Sequence, residues 1–336
     1  MKTVSFVIPC YKSSDSIGLV VNEIDSTMEK LDIDTYEIIL VNDCSPDNLL
    51  EVVREICDNN TRVMGIDLAK NFGQHGALMA GAKHAQYEVV VFLDDDGQTP
   101  ACEVGNLIDA LDEDCDIAFA RYADKKHHWF RNLGSKFNDF MAEKLIGKPK
   151  DIKLSSYVAC KRFVIDEVTK YNGNYPYLSG LLLRSSNKIK NVATSHRERD
   201  IGVSGYTLKK LISLWLNGFT AFSVKPLRIA TVLGLVFAFC GFAFGIFVVI
   251  QRIVGLTYIP LGYASTMTSL LLIGGMIMVI LGLIGEYIGR IYMNINNAPQ
   301  FVVREYIGKE RVEKHERNYT CRRKRNQTLS QHDSCV

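Results

Sequence analysis

Three consecutive carboxylates, Asp94, Asp95 and Asp96, follow the apolar run VVVFL at 89–93. Like charges crowded this way repel one another unless a cation sits among them. The cluster therefore predicts a site for a hard divalent ion with oxygen ligands, Mg2+ or Mn2+ rather than zinc. On an extended backbone alternate side chains share a face, so Asp94 and Asp96 form the useful pair, Asp95 points away, and Gln98 continues the alternation. A solvated acidic turn is the competing explanation. It loses ground because two other apolar runs also end in polar clusters, PCYKSSD at 9–15 and NDCSPD at 42–47.

Side chains scattered over ninety-odd positions can meet only if regular elements bring them together. Apolar, β-branched runs at 4–8, 36–41, 63–66, 89–93 and 117–120 read as strands. Between them Ile17, Val20, Val21, Ile24, Met28 and Leu31 keep one helical face apolar, as do Leu49, Leu50, Val53, Ile56 and Cys57, and again Val104, Leu107, Ile108 and Leu111. Strand and helix alternating in this way predict an α/β fold, a mostly parallel Rossmann-like sheet covered on both faces. Ligands of such sheets bind beyond the carboxyl ends of the strands, where the three polar clusters fall. Residues 121–205 mix basic and aromatic side chains and read as helical in part.

From about residue 206 the pattern changes. Leu208, Leu211, Ile212, Trp215 and Phe219 recur at helical spacing beside Lys209 and Lys210, which suits an amphipathic interfacial helix over 206–225. Ile229 to Ile250 then runs 22 residues without a charge, roughly 33 Å of helix and enough to span a bilayer. A second uncharged stretch starts at Ser265, so 226–290 reads as a transmembrane hairpin with spans at about 229–250 and 265–286. Lys225 and Arg228 precede the first span, Arg290 follows the second and only Arg252 lies in the link. The positive-inside rule puts residues 1–205 and the tail at 291–336 in the cytoplasm, as a multi-pass protein of the inner membrane. A buried helical hairpin is the alternative.

The chain has 336 residues and a formal net charge of +2, which gives no reason to invoke nucleic acid. Its nine cysteines show no zinc or disulfide spacing, so reduced, mostly buried thiols are expected. The basic run KHERNYTCRRKRNQ in the tail fits either attraction to anionic lipid or a solvated end.

Taken in order, IPCYK, VNDCSPD, KNFGQHGALMAGAKHA, LDDDGQTP, RERDIGVSGYTLKKL, KPLRIA and GEYIGRIY resemble glycosyltransferase family 2, of the GT-A fold. The likeness is to its membrane-anchored branch, which transfers a sugar from a nucleotide donor to a polyprenyl phosphate. The resemblance implies that Pro9, Tyr11 and Asp43 contact base and ribose, with Asn71 near the same pocket. It implies that Asp94, Asp96 and Gln98 hold the metal on the donor diphosphate, Asp94 also touching the nucleotide. Arg121, Arg131 and Ser135 would handle donor or acceptor phosphates, and Arg197, Arg199, Ser204 and Tyr206 would meet the acceptor before the membrane helices. It further implies a nucleotide sugar as donor, a UDP-sugar ahead of a GDP-sugar, undecaprenyl phosphate as acceptor, and assembly into a homo-oligomer through the membrane segments.

Three stretches depart from the family pattern. Tyr11-Lys12-Ser13 stands where Y-N-E is usual, and Asp96-Gly97-Gln98-Thr99-Pro100 replaces D-L-Q-D-P. At 155–163, SSYVACKRF takes the place of a G-D-F-R-L type sequence, with Tyr157-Val158 at the position that carries its arginine. Either Lys161 or Arg162 compensates, or the acceptor differs. Transfer to a glycan or glycolipid hydroxyl would need a base, for which Asp151, Asp166 and Glu167 are the candidates. A catalytically silent membrane scaffold keeping the fold is the third reading.

Overall fold

The computed structural model describes residues 2–122, 148–174, 176–195, 262–295 and 299–308, with isolated positions between 232 and 254. Contacts divide the chain into two units, Met1–Gly205 with Pro299–Val336, and Tyr206–Ala298. The interfacial helix expected over 206–225 lies outside the described residues, and so does the first span apart from isolated helical positions.

The first unit is built on one eight-stranded sheet. Its strands are β1 (Val4–Cys10), β2 (Tyr36–Asn42), β3 (Val63–Leu68), β4 (Val89–Phe92), β5 (Ile117–Tyr122), β6 (Val158–Lys161), β7 (Ile189–Thr194) and β8 (Val303–Ile307). They are arranged in the order β7-β5-β6-β4-β1-β2-β3-β8. β1, β2, β3 and β4 pair in parallel, as do β5 and β7, whereas β6 runs antiparallel to both β4 and β5, and β8 antiparallel to β3. The sheet is thus mixed, a parallel centre with antiparallel insertions. The expectation of a mostly parallel sheet holds for its first four strands.

Helices α1 (Ile17–Lys30), α2 (Leu49–Asn59) and α4 (Val104–Asp109) supply the apolar faces read from the sequence; Ile17, Val20, Val21, Ile24, Met28, Val53 and Leu107 are buried against one side of the sheet with Phe6, Ile8, Ile38 and Leu40. α3 (Gln74–His84) lies on the other side, where Gly81 packs on Val7 and Val41. Helices α5 (Arg162–Val168) and α6 (Leu178–Ser185) follow β6. The described part of 121–205, read as partly helical, therefore also contributes β6 and β7. Residues 303–307, read as the start of a polar tail, form a strand of the sheet.

Register fixes where the loops emerge. Cys10 lies beside Asn42, Asn42 beside Asp67, and Val7 beside Phe92, so the segments after β1, β2, β3 and β4 leave the same edge. Pro9 is tolerated in β1 because β4 has already ended there: pairing on that side stops at Val7, and the missing N–H breaks no ladder with β4.

In the second unit, α7 (Gly262–Ile295) is a helix of 34 residues, about 51 Å at 1.5 Å per residue. Among the described residues no helix is counted long and apolar enough to cross a membrane. The two-span expectation is therefore carried by the sequence, not by the structure. No disulfide links the described cysteines, and Cys10, Cys57, Cys115 and Cys160 are buried.

Candidate active site

The acidic turn leaves β4 between the loops of β1 and β6, and its three carboxylates face different partners. Asp94 Oδ1 accepts from Gln74 Nε2 at 3.0 Å, and its Oδ2 accepts from the Ser156 hydroxyl. Asp95 Oδ2 accepts the Tyr11 amide at 2.9 Å, while the Asp95 carbonyl accepts from Ser16 Oγ at 2.7 Å. Asp96 Oδ1 accepts the amide of Gln98 at 3.1 Å. That short turn needs Gly97 at φ 72°, a left-handed conformation that is strained for residues with a Cβ. Burial pushes the Asp95 carboxyl up to about 6; repulsion from Asp94 and Asp96 adds to the rise and the Tyr11 amide opposes it.

The loops after β1, β2 and β3 are tied to one another. Asp43 is 3% exposed and accepts the amides of Phe72 (2.7 Å) and Gly73 (2.8 Å), and Asn71 Nδ2 donates to its carbonyl at 3.2 Å. Burial raises the Asp43 carboxyl against the pull of those two amides. Gly73 takes φ 81° as it opens α3, which aims its N–H at Asp43. Ser45 Oγ accepts the Lys12 amide at 2.8 Å and donates to Asp47. Lys12 and Cys44 both hold left-handed backbones, φ 58° and 51°, on the order of 1 kcal/mol of strain each, which is the kind of outlier that gathers at functional loops.

The structure brings Pro9, Tyr11, Asp43, Asn71, Asp94, Asp96 and Gln98 to one edge of the sheet. Pro9 and Asp43 are buried, whereas Tyr11, at 45% exposure, and Asn71 open outward. Arg121 stands exposed at the end of β5. β5 pairs Phe119 with Val158, so the chain beyond it runs toward Ser156 and the acidic turn. Arg131, Ser135, Arg197, Arg199, Ser204 and Tyr206 lie outside the described residues.

Five side chains at this edge carry no signal of their own in the sequence. Gln74 and Ser156 hold Asp94. Tyr157 is wholly buried, and its hydroxyl donates to the Pro100 carbonyl at 3.2 Å beneath the acidic turn. Tyr122, joined to Ser155 through their hydroxyls at 3.4 Å, has its phenol raised by burial, with Asp94 and Asp96 adding to the rise. His75, next to Gln74, meets Tyr177 edge-on with ring centroids 5.0 Å apart, and burial holds its imidazole down to about 4, so the ring is neutral. Only the KNFGQHG segment as a whole had pointed there.

Compensation by Lys161 or Arg162 is ruled out by register. Val158 lies beside Phe92, but Lys161 lies beside Val89, roughly 10 Å back along the strand and away from the acidic turn. Lys161 pairs with Asp116 at 2.9 Å, and Arg162 with Asp166 at 2.9 Å. Asp166 and Glu167 sit on α5 at that same far end, Glu167 being paired with Lys170.

The donor set suits a hard cation. A carboxylate has about four lone-pair sites, so Asp94 can accept from Gln74 and Ser156 and still ligate an ion. Among the described residues no cluster of three or more His, Cys, Asp or Glu forms an all-protein cage.

The chain is an α/β protein whose sheet has a parallel centre and an acidic turn at the carboxyl end of β4. Residues 5–170 match Glycosyl transferase family 2, and residues 225–291 match the GtrB C-terminal hairpin. Over 317 residues the chain is 31% identical to the undecaprenyl-phosphate 4-deoxy-4-formamido-L-arabinose transferase of Proteus mirabilis, covering 93% of this chain and 96% of that one. It is 30% identical, with the same coverage, to the protein of that name from Yersinia enterocolitica. The chain belongs to glycosyltransferase family 2 and is a glycosyltransferase. Among solved structures, glucosyl-3-phosphoglycerate synthase from Mycobacterium tuberculosis in complex with Mn2+, UDP-glucose and phosphoglyceric acid aligns with TM-score 0.48 and 17% identity, over 64% of this chain and 76% of that one.

Proposed function

We propose that the protein transfers a sugar, with inversion, from a nucleotide-sugar donor to undecaprenyl or another polyprenyl phosphate at the bacterial inner membrane, for synthesis or modification of an envelope glycan. The observation that carries this reading is similarity along nearly the whole chain to undecaprenyl-phosphate sugar transferases, hairpin included. The donor is a UDP-sugar ahead of a GDP-sugar. Residues 226–290 cross the membrane twice, and the catalytic domain and both termini are cytoplasmic.

Chemistry explains the short inventory at the strand ends. The leaving group is a nucleoside diphosphate, and a divalent ion held by Asp94 and Asp96, with Gln98 beside them, supplies charge neutralisation there when bound. Gln74 and Ser156 aim Asp94. Tyr11, Asn71 and the loop that Asp43 anchors form the nucleoside side of the pocket, and exposed Arg121 meets phosphate oxygens. The acceptor is a phosphate monoester with a second pKa of about 6, so it arrives ionised and attacks the anomeric carbon without a general base. Attack from the face opposite the diphosphate inverts the anomeric centre.

Val158 in the place of an arginine favours a hydroxyl acceptor as the second reading. That reading needs a base, and Asp166 and Glu167 are bound to Arg162 and Lys170 at the wrong end of β6. Membranes holding the protein are therefore given UDP-, GDP- and dTDP-sugars, UDP-4-deoxy-4-formamido-L-arabinose among them, with undecaprenyl phosphate and Mn2+. Mass spectrometry is expected to find one sugar added to the lipid through an acid-labile bond, and chelation to stop the reaction. An acid-stable glycoside, or turnover that survives exhaustive chelation, overturns the proposal.

A further inference from the structure

The strand β8 lies outside both family matches, which cover 5–170 and 225–291, yet it closes the edge of the sheet beside β3. Its Arg304 does more than pair strands. Nη1 donates to Asp67 Oδ2 at 3.2 Å, and Nη2 to the Ala69 carbonyl at 2.9 Å. Asp67 is fully buried. Its other oxygen accepts from Asn42 Nδ2 at 2.7 Å, and Asn42 Oδ1 in turn accepts the Ser45 amide at 3.1 Å. A buried carboxylate needs its charge answered, and a planar guanidinium answers it with one nitrogen while the other holds a second acceptor at a fixed angle, a geometry that a point-like ammonium does not impose.

The two arms of that fork reach the two loops that make the nucleoside side of the pocket. Through Asp67 and Asn42, Arg304 sets the 43–47 loop, whose Ser45 holds the Lys12 amide next to Tyr11. Through Ala69 it sets the segment running into Asn71, Phe72 and Gly73, which clasp Asp43. We propose that Arg304, in the strand following the hairpin, is a positioning residue for the nucleotide donor: it holds the loops after β2 and β3 in register with each other. This rests on the nucleotide-sugar reading above.

The rest of β8 provides an internal comparison. Arg54 and Glu305 form an ion pair at 2.7 Å on the outside of the same strand, without touching Asp67. The test uses full-length protein in detergent, with UDP as probe in calorimetric titration and the lipid-product assay alongside. Arg304→Met is expected to weaken UDP binding on the order of tenfold and to raise donor KM by the same factor. It leaves the KM for undecaprenyl phosphate unchanged and kcat within about twofold. Arg304→Lys, which keeps the charge and loses the fork, falls between. Asp67→Asn with Arg304→Met is no worse than Arg304→Met alone, because the stranded charge is gone; these two variants carry the test where the single Met variant fails to fold. Arg54→Met binds UDP as the wild type does.

Lower melting temperature with unchanged UDP affinity in Arg304→Met and Arg304→Lys reduces Arg304 to a strand anchor and overturns the proposal. So does an Arg54→Met protein that loses UDP to the same extent. A wild-type protein that binds none of UDP, GDP and dTDP overturns the donor reading itself, and this inference with it.

Discussion

Asp94 shows how one carboxylate is oriented from two sides. Both of its oxygens are held, by Gln74 from the start of α3 and by Ser156 from the approach to β6. Both of these donors are uncharged, and each hydrogen bond fixes the direction of one oxygen. Asp95 is treated differently: turned toward the Tyr11 amide and lifted by burial to about 6, it ties the acidic turn to the loop after β1. Three adjacent acids thereby divide into a working pair and an internal tie. Outer partners of this kind are typically worth about 10- to 100-fold in metal affinity or activity. Ser156→Ala and Gln74→Ala are each expected to raise the Mn2+ concentration for half-maximal turnover by an amount in that range. Excess Mn2+ restores much of the rate, and electron paramagnetic resonance of bound Mn2+ shows the same weakening without turnover. Wild-type Mn2+ dependence in both variants means that Asp94 needs no such support.

The elements differ in how openly the sequence declares them. α1, α2 and α4 each bury one face, so apolar residues recur at helical spacing and the helices can be read directly. α3 is buried along Gly76–Ala82 without a gap; with no polar side to alternate against, its period vanishes, and glycine and alanine replace the usual apolar markers. β6 and β8 are short antiparallel additions, and β8 arrives after the hairpin, from over 230 residues away along the chain, so no local pattern announces its pairing with β3. The same holds at the site. The acidic turn, Tyr11, Asp43 and Asn71 sit at strand ends that alternation reveals, whereas Gln74, Ser156 and Arg304 act through contacts that exist only once the sheet is assembled. α3 is the element on which the site leans hardest, since its first residue holds Asp94 and its N-cap glycine holds Asp43. Gly81 is what allows it to lie close: a Cβ there would run into Val7 Cγ1 and approach Val41 Cγ2 to 3.1 Å. Gly81→Ala is expected to lift α3 from the sheet at about 1–3 kcal/mol, the usual range for overpacking a core. A thermal melt that drops together with donor affinity is the outcome anticipated; a melt at or above the wild-type temperature shows that the contact yields freely.

At the scale of the whole molecule, one sheet is made from both ends of the chain. β1 to β7 precede the second unit and β8 follows it, yet β8 is hydrogen-bonded to β3 from Gly65–Ile307 to Leu68–Val303. Strands of one sheet occupy one compartment. If the proposed hairpin lies in the bilayer, the chain between Tyr206 and Ala298 must therefore cross it an even number of times, whatever the hydropathy of any single stretch. This parity argument is independent of the positive-inside rule, and it agrees with the placement of Lys225, Arg228 and Arg290 on one side and Arg252 alone in the link. Each of the two uncharged stretches matches the roughly 20 residues that a span requires, which makes two the smallest even number that accounts for both. A fluorescent protein fused after Val336 is expected to fold and glow in bacterial cells, since the proposed topology puts that terminus in the cytoplasm. Alkaline phosphatase inserted between Arg252 and Tyr258 is expected to be active, since the same topology exports only the link. An active phosphatase in the link together with a dark fluorescent fusion after Val336 would leave β8 on the opposite side of the membrane from β3, which the sheet forbids, and would take the two-span reading down with it.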